Sequence, residues 1–142
     1  MQRTDFKHVI ELAIRWGDMD ALGHVNNVQY FRYLESGRIA YFSDRAPLEY
    51  KAVAQLVLAD MQCRFLRQLH YPGVLEIATR VARLGNSSLQ VEAAIFMKGE
   101  PAPAATAHAI LVWFDFASGR SAPLPSSLRQ ALAVFEGIAP GP

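Results

Sequence analysis

One segment constrains this chain more than any other: VQYFRYLESGRIAYFSD, residues 28–44, is the one convincing helix of its first half, and strand-like sequence surrounds it. Tyr30, Leu34, Gly37 and Tyr41 fall at steps of four, three and four, with Phe31 and Phe42 beside them. That spacing makes a broad apolar stripe on one helical face. Asn26 or Asn27 is placed to cap the exposed N–H groups at its start. Glycine inside a helix costs about 1 kcal/mol against alanine. Its presence on the buried stripe therefore predicts that another backbone or a sheet comes very close at Gly37.

The flanking sequence alternates with a period of two. Ile10, Leu12, Ile14 and Trp16 share one face of a strand over 9–16, opposite Glu11 and Arg15. After Pro47 the pattern is strand again. Val57, Ala59, Met61, Cys63 and Phe65 alternate with Leu58, Asp60, Gln62 and Arg64, and Tyr71-Pro72-Gly73 breaks the run. Leu75, Ile77, Thr79 and Val81 form the next strand. Gly85-Asn86-Ser87-Ser88 reads as a hairpin turn into a strand carrying Leu89, Val91, Ala93, Ile95 and Met97. A long run follows from about Ala104 to Phe116. Residues 126–136, SSLRQALAVFE, read as a short helix with a serine cap and Leu128, Leu132 and Phe135 turned inward.

Hairpins imply an antiparallel sheet, and a lone apolar helix must bury its stripe against it. The expectation is one α+β domain spanning 1–142, a curved sheet of about five strands wrapped around one long helix, with a short C-terminal helix. The last long strand is apolar on both faces, Ile110, Val112 and Phe114 against Leu111 and Trp113. A sheet covered on one side by a single helix leaves its other side partly bare, so a second subunit is expected.

Chemistry concentrates in the loop before the helix, WGDMDALGHVNN, which carries two acids, a histidine and two asparagines. A helix N-terminus offers unpaired N–H groups and the positive end of the helix dipole. One aimed backbone donor stabilises a developing oxyanion by about 2.7–4 kcal/mol. A carboxylate just upstream can attack an acyl carbon or orient a water, with general-base help contributing roughly 10²–10⁴ in rate. Asp18 and Asp20 point opposite ways if extended, so one of them faces a cleft. Asp18 directly follows the strand and is read as the structural acid. Loops with such letters are also ordinary caps and turns, so the chemistry alone leaves both readings open.

Charge and composition exclude several classes. Fourteen Lys and Arg against thirteen Asp and Glu leave a net charge of +1, too little for a field that drives non-specific nucleic-acid binding. Cys63 is the one cysteine, so no internal disulfide can form, and its apolar surroundings suit a structural thiol. The N-terminal residues are charged throughout and lack the apolar core of a signal peptide. No apolar run is long enough to span a membrane. A cytoplasmic protein is expected. His8, His70 and His108 have no partners at metal-ligand spacing, and no metal site is read.

The run D-x-D-x-x-G-H-V-N-N-x-x-Y followed by L-E-x-x-R, here Asp18, Asp20, Gly23, His24, Val25, Asn26, Asn27, Tyr30, Leu34, Glu35 and Arg38, resembles the 4-hydroxybenzoyl-CoA thioesterase-like branch of the hotdog superfamily. The order of elements is similar over nearly the whole chain, and GNSSLQVEAAIF looks like that family's turn into its third long strand. The resemblance implies a hotdog fold and hydrolysis of an acyl-CoA thioester. The second acid of the D-x-D pair is the catalytic carboxylate in that family, which falls on Asp20, as nucleophile or general base. The carbonyl-polarising donor is a backbone N–H at the helix start, which falls on Asn27. His24 either donates to the substrate carbonyl or to Asp20, or shapes the loop. In another hotdog branch the catalytic carboxylate lies on the helix, which makes Glu35 the second candidate, although Glu35 and Arg38 are also spaced to pair.

Coenzyme A would enter as part of the substrate, with no separate cofactor. Its phosphates call for basic groups near the cleft mouth, for which Arg64, Arg67, Arg80 and Arg83 are candidates with Ser87 and Ser88 in the adjoining turn. Tyr30, Phe31 and Leu34 would line the acyl pocket together with residues of a partner, in a homodimer or a dimer of dimers. Two other functions compete. One is a non-catalytic acyl-CoA-binding hotdog module. The other is an acyl-thioester hydratase or dehydratase, but those resemble one another in an Asp and a His five apart, whereas His24 stands four from Asp20 and six from Asp18.

Overall fold

The computed structural model describes residues 1–46 and 54–142, so the break read at Pro47 lies outside the described residues. Strand β1 (His8–Ala13) is followed by helix α1 (Asn27–Arg45), then by β2 (Leu56–Phe65), β3 (Val74–Leu84), β4 (Ser88–Met97) and β5 (Ala105–Asp115). A two-residue β6 (Arg120–Ser121) pairs with β5, and α2 (Ser126–Glu136) ends the fold. The main sheet runs β1-β3-β4-β5-β2, antiparallel throughout. One long helix against a curved antiparallel sheet is the hotdog arrangement.

Helix α1 buries the face its spacing marks: Tyr30, Tyr33, Leu34, Gly37, Tyr41 and Phe42. A Cβ built on Gly37 would lie 2.5 Å from Ile77 Cγ2 and 3.1 Å from Thr79 Oγ1. Only a glycine lets α1 sit this close to β3. The inward row of β3, Leu75, Ile77, Thr79 and Val81, is almost fully buried beneath the helix, as its alternation predicts. Burying side chains of this size contributes about 1.5–3 kcal/mol each.

Three local readings are corrected. Trp16 does not continue the inward face of β1. The strand ends at Ala13, Trp16–Asp18 form one 3₁₀ turn, and Trp16 is 74% exposed. In β2 a bulge between Leu58 and Asp60 inserts a residue and switches the alternation. Leu56 therefore packs in the core, while Val57 faces outward and Met61, Cys63 and Phe65 take the inner face. The serine cap expected on α2 is not made, because Pro125 occupies the cap position and Ser126 is the first helical residue.

Two features absent from the sequence reading complete the core. Phe6 reaches back over the outer face of the sheet and covers Ala78, Ala94 and Phe96. Helix α2 is fastened by Glu136, whose Oε1 accepts from the Tyr41 hydroxyl at 2.5 Å and from Val81 N–H at 3.0 Å. That N–H borders the β3 bulge between Val81 and Arg83. The expected bareness of β5 is visible in its outer row, where Ile110 is 38% exposed while Ala105, Ala107, Ala109, Leu111 and Trp113 are buried.

Candidate active site

The loop from β1 to α1 is a small closed hairpin. Met19 and Val25 form a bridge, Asp20 N–H donates to His24 O at 3.1 Å, and Gly23 N–H returns to Asp20 O at 3.1 Å. Gly23 takes a φ of 87°, a left-handed conformation that suits glycine. The loop is pinned outside by Val25 N–H donating to Leu69 O at 2.8 Å and by His70 Nδ1 lying 3.1 Å from Gly23 O.

Asp18 anchors the base of the loop. It is buried, and its Oδ2 accepts from the Tyr33 hydroxyl at 2.6 Å and from Arg15 N–H at 2.9 Å. Burial alone would raise its pKa, but the hydrogen bonds from Tyr33 and Arg15 and the Arg15 charge outweigh it, so its carboxyl sits below the ordinary value. Burial and the adjacent carboxylate push the Tyr33 phenol up. With every contact directed into the protein, Asp18 is the structural acid.

Asp20 is different. It is half-buried, its Oδ1 accepts only from Leu22 N–H at 2.9 Å, and its other oxygen has no protein partner among the described residues. It lines a cleft of about 340 Å³ together with His24 and Asn27. The helix begins here. Asn26, not Asn27, is the cap, its side chain accepting from Val28 N–H at 2.9 Å, and Gln29 N–H donates to Asn26 O at 2.9 Å. The Asn27 N–H finds no acceptor among the described residues, and Asn27 lines the cleft. Asp20 and Asn27, the first residue of α1, thus line one crevice.

The opposite wall comes from the end of β2 and the segment after it, Phe65 to Gln68. Tyr30 stacks on Phe65 with centroids 5.1 Å apart and donates to Arg67 O at 3.0 Å, and burial raises its phenol pKa. Phe31 meets Phe65 edge-on, is 37% exposed and does not line the cleft within one copy. Leu34 lies one helical turn deeper, in the closed core.

His24 lines the cleft, but its ring makes no hydrogen bond to the Asp20 carboxylate among the described residues. Its Nε2 stands 3.3 Å from the Gln68 amide nitrogen and its ring meets His70 edge-on at 5.9 Å. Glu35 pairs with Arg32 at 2.9 Å rather than with Arg38, because Arg38 turns inward toward Met61, and Glu35 does not line the cleft.

The structure separates the basic candidates. Arg67 lines the cleft but is held by Glu100 at 2.6 Å and Ala102 O at 2.9 Å. Arg80 grips Glu92 and stacks on Phe6. Arg83, Ser87 and Ser88 lie at the β3–β4 hairpin, whereas the cleft sits at the other end of the sheet, where β3 begins and β4 ends. Within one copy they do not approach Asp20. Arg64 points to the outer face of β2, with no ion pair among the described residues.

Gln68, His70 and the Phe65–Leu66 pair were not legible in sequence, since nothing in FLRQLH has a motif's spacing. The available signal was the apolar Phe65-Leu66 step at a strand end. Among the described residues no three His, Cys, Asp or Glu side chains converge to hold a metal ion, and no helix is long and apolar enough to cross a membrane.

Comparison with known proteins gives a consistent picture. A family model described as the Thioesterase-like superfamily matches residues 14–132. A solved thioesterase from Thermus thermophilus, complexed with coenzyme A and Zn, is 33% identical with a TM-score of 0.84, over 95% of this chain and 98% of that one. The uncharacterised protein YsmA of Bacillus subtilis (strain 168) is 28% identical over 131 residues, 92% of this chain and 88% of its own. The chloroplastic acyl-acyl carrier protein thioesterase ATL3 of Arabidopsis thaliana is 26% identical over 132 residues, 90% of this chain and 68% of its own.

Proposed function

This chain belongs to the thioesterase-like superfamily and is a thioester hydrolase of hotdog fold, and on that premise we propose that it cleaves an acyl-CoA, with Asp20 as its catalytic carboxylate and the Asn27 N–H as its oxyanion donor. The observation that carries this reading is the shared crevice, lined both by Asp20, one of whose carboxylate oxygens has no protein partner, and by Asn27, whose helix-start N–H has no acceptor among the described residues. With the thioester carbonyl oxygen on the Asn27 N–H, its carbon lies open to attack. Asp20 takes a proton from water as the O–C bond forms, and the oxyanion rests on the amide. Collapse breaks the C–S bond, and the CoA thiolate leaves with that proton. If Asp20 attacks directly, the same donor serves an anhydride that water then opens. The reaction takes no cofactor, since coenzyme A leaves as product. His24, held by Gln68, shapes the cleft wall, and the acyl group lies against Tyr30 and Phe65.

The working unit is a homodimer, alone or as a dimer of dimers. Strand β2 ends the sheet with one edge unpaired among the described residues, and Val57, Leu58, Phe65 and Leu66 along it are exposed. A two-fold antiparallel pairing of β2 with its copy sets the Phe65 end of one strand beside the Leu56 end of the other. Behind Leu56 and Val57 stand Trp113, Val112 and Ser88. This arrangement carries Arg83, Ser87 and Ser88 of the second copy toward the first copy's cleft. A reducing cytoplasm suits the lone thiol of Cys63.

A second reading replaces CoA with acyl carrier protein and is favoured by the identity to ATL3. Thiol release from matched acyl-CoA and acyl-carrier-protein panels, followed with a thiol reagent, separates the two. Turnover of acyl-CoA with the higher kcat/KM supports the proposal. Turnover of the carrier-protein thioesters alone transfers the activity to the second reading, and CoA binding without release makes the chain a binding module.

A further inference from the structure

On the outer face of the sheet beside β1, β3 and β4, Arg3 pairs with Glu76, Arg80 with Glu92 and Lys98 with Glu11, while Arg83 has no ion pair among the described residues. The β2–β5 end of the same face carries a second unpaired cation, here set in a hollow. Arg64 stands opposite Thr106 and Gln62 opposite His108 in the strand register, so every polar side chain of that square is a hydrogen-bond donor or can become one. Arg64, Gln62 and Thr106 have no side-chain partner among the described residues, and the four line a hollow of about 340 Å³. Glu92 stands 3.8 Å from His108 Nδ1 but is already gripped by Arg80, and Asp60, on the same outward row of β2, does not line the hollow. A concave set of donors with no acid of its own is suited to an anion, and a free guanidinium suits phosphate oxygens in particular.

Its position says which anion. Arg64 immediately precedes Phe65, the last residue of β2 and part of the cleft wall. Consecutive strand residues face opposite sides, so the hollow and the cleft lie back to back at one strand end. A flexible arm leaving the cleft past Leu66 rounds that end onto Arg64. We infer that the Gln62–Arg64–Thr106–His108 hollow holds the nucleotide phosphates of the CoA thioester, an inference that rests on the acyl-CoA reading above.

The test compares wild type and Arg64→Ala, as full chains, on one acyl group presented as its CoA thioester and as its pantetheine thioester, which lacks the nucleotide. The variant should raise KM for the CoA thioester about 5–20-fold with kcat within about twofold, and leave the pantetheine thioester unaffected, as loss of a charge-assisted contact predicts. Arg120→Ala, an exposed cation on β6, should behave as wild type. An unchanged KM in Arg64→Ala, or an equal loss on both thioesters, overturns the assignment. If wild type turns over neither substrate, the hydrolase reading fails by itself, and calorimetric titration with CoA decides this one. Binding that is weaker in Arg64→Ala and falls with salt supports the hollow, and equal binding rejects it.

Discussion

Replacing Gly37 with alanine should drive α1 away from the sheet. The new Cβ would stand 2.5 Å from Ile77 Cγ2, 3.1 Å from Thr79 Oγ1 and 3.3 Å from Ile77 Cβ. Apolar carbons settle at about 3.5–4.0 Å, so the helix or β3 must give way by about 1 Å. Ile77 is fully buried and branched at Cβ, which leaves its methyl little room to turn aside. A contact this short against a fully buried branched side chain lies in the upper part of the overpacking range, about 2–3 kcal/mol, and the better helix propensity of alanine returns about 1 kcal/mol. The net loss, about 1–2 kcal/mol, corresponds to a fall in Tm of about 3–8 °C for a domain of this size. Because α1 carries the Asn27 N–H, a displacement near 1 Å should also lower kcat by at least about tenfold. Ile77→Leu moves the branch off Cβ and removes the clashing methyl, so the double variant should recover more than half the lost Tm. Calorimetry with steady-state kinetics on the four proteins makes the measurement. A Gly37→Ala protein as stable as wild type, or no rescue by Ile77→Leu, refutes the close approach.

Asp18→Asn should cost about 1.5–3 kcal/mol through the weakened Tyr33 and Arg15 hydrogen bonds. The folded pKa of Asp18 is depressed. Its stabilisation is therefore complete above the ordinary carboxylate range and lost as pH falls through the folded value. Wild-type Tm should drop more steeply than that of Asp18→Asn between about pH 5 and pH 3, and parallel curves would contradict the assignment. Cys63 is half-buried and burial raises its thiol pKa, so a thiol reagent at neutral pH should modify it at least about tenfold more slowly than free cysteine. Rapid labelling of the native protein would place it elsewhere.

Much of the fold was readable because its elements obey one period at a time. The α1 stripe, the inner rows of β3 and β4 and the close approach at Gly37 all follow from spacing and side-chain size. Where the chain changes rule, spacing misleads. The β2 bulge inverts Val57 relative to Met61, and the 3₁₀ turn at Trp16–Asp18 throws Trp16 into solvent. At the site, the loop letters located Asp20 and the helix start. They could not show the Phe65–Gln68 wall, which is placed at the cleft by long-range pairing of β2 with β5. The Glu35–Arg38 pairing failed for a related reason. Helical spacing permits Arg32 or Arg38 to meet Glu35, and the burial of Arg38 beside Met61 decides between them.

The central claim is that Asp20 performs the chemistry, and the kinetics of Asp20→Asn beside Glu35→Gln test it most directly. On the best acyl-CoA of the panel, Asp20→Asn should lose at least about 10²-fold in kcat with KM within about threefold, because binding survives while the proton acceptor does not. Glu35→Gln, altering a carboxylate outside the cleft, should retain wild-type kcat. An Asp20→Asn enzyme of full activity, with the loss appearing in Glu35→Gln instead, would contradict the account.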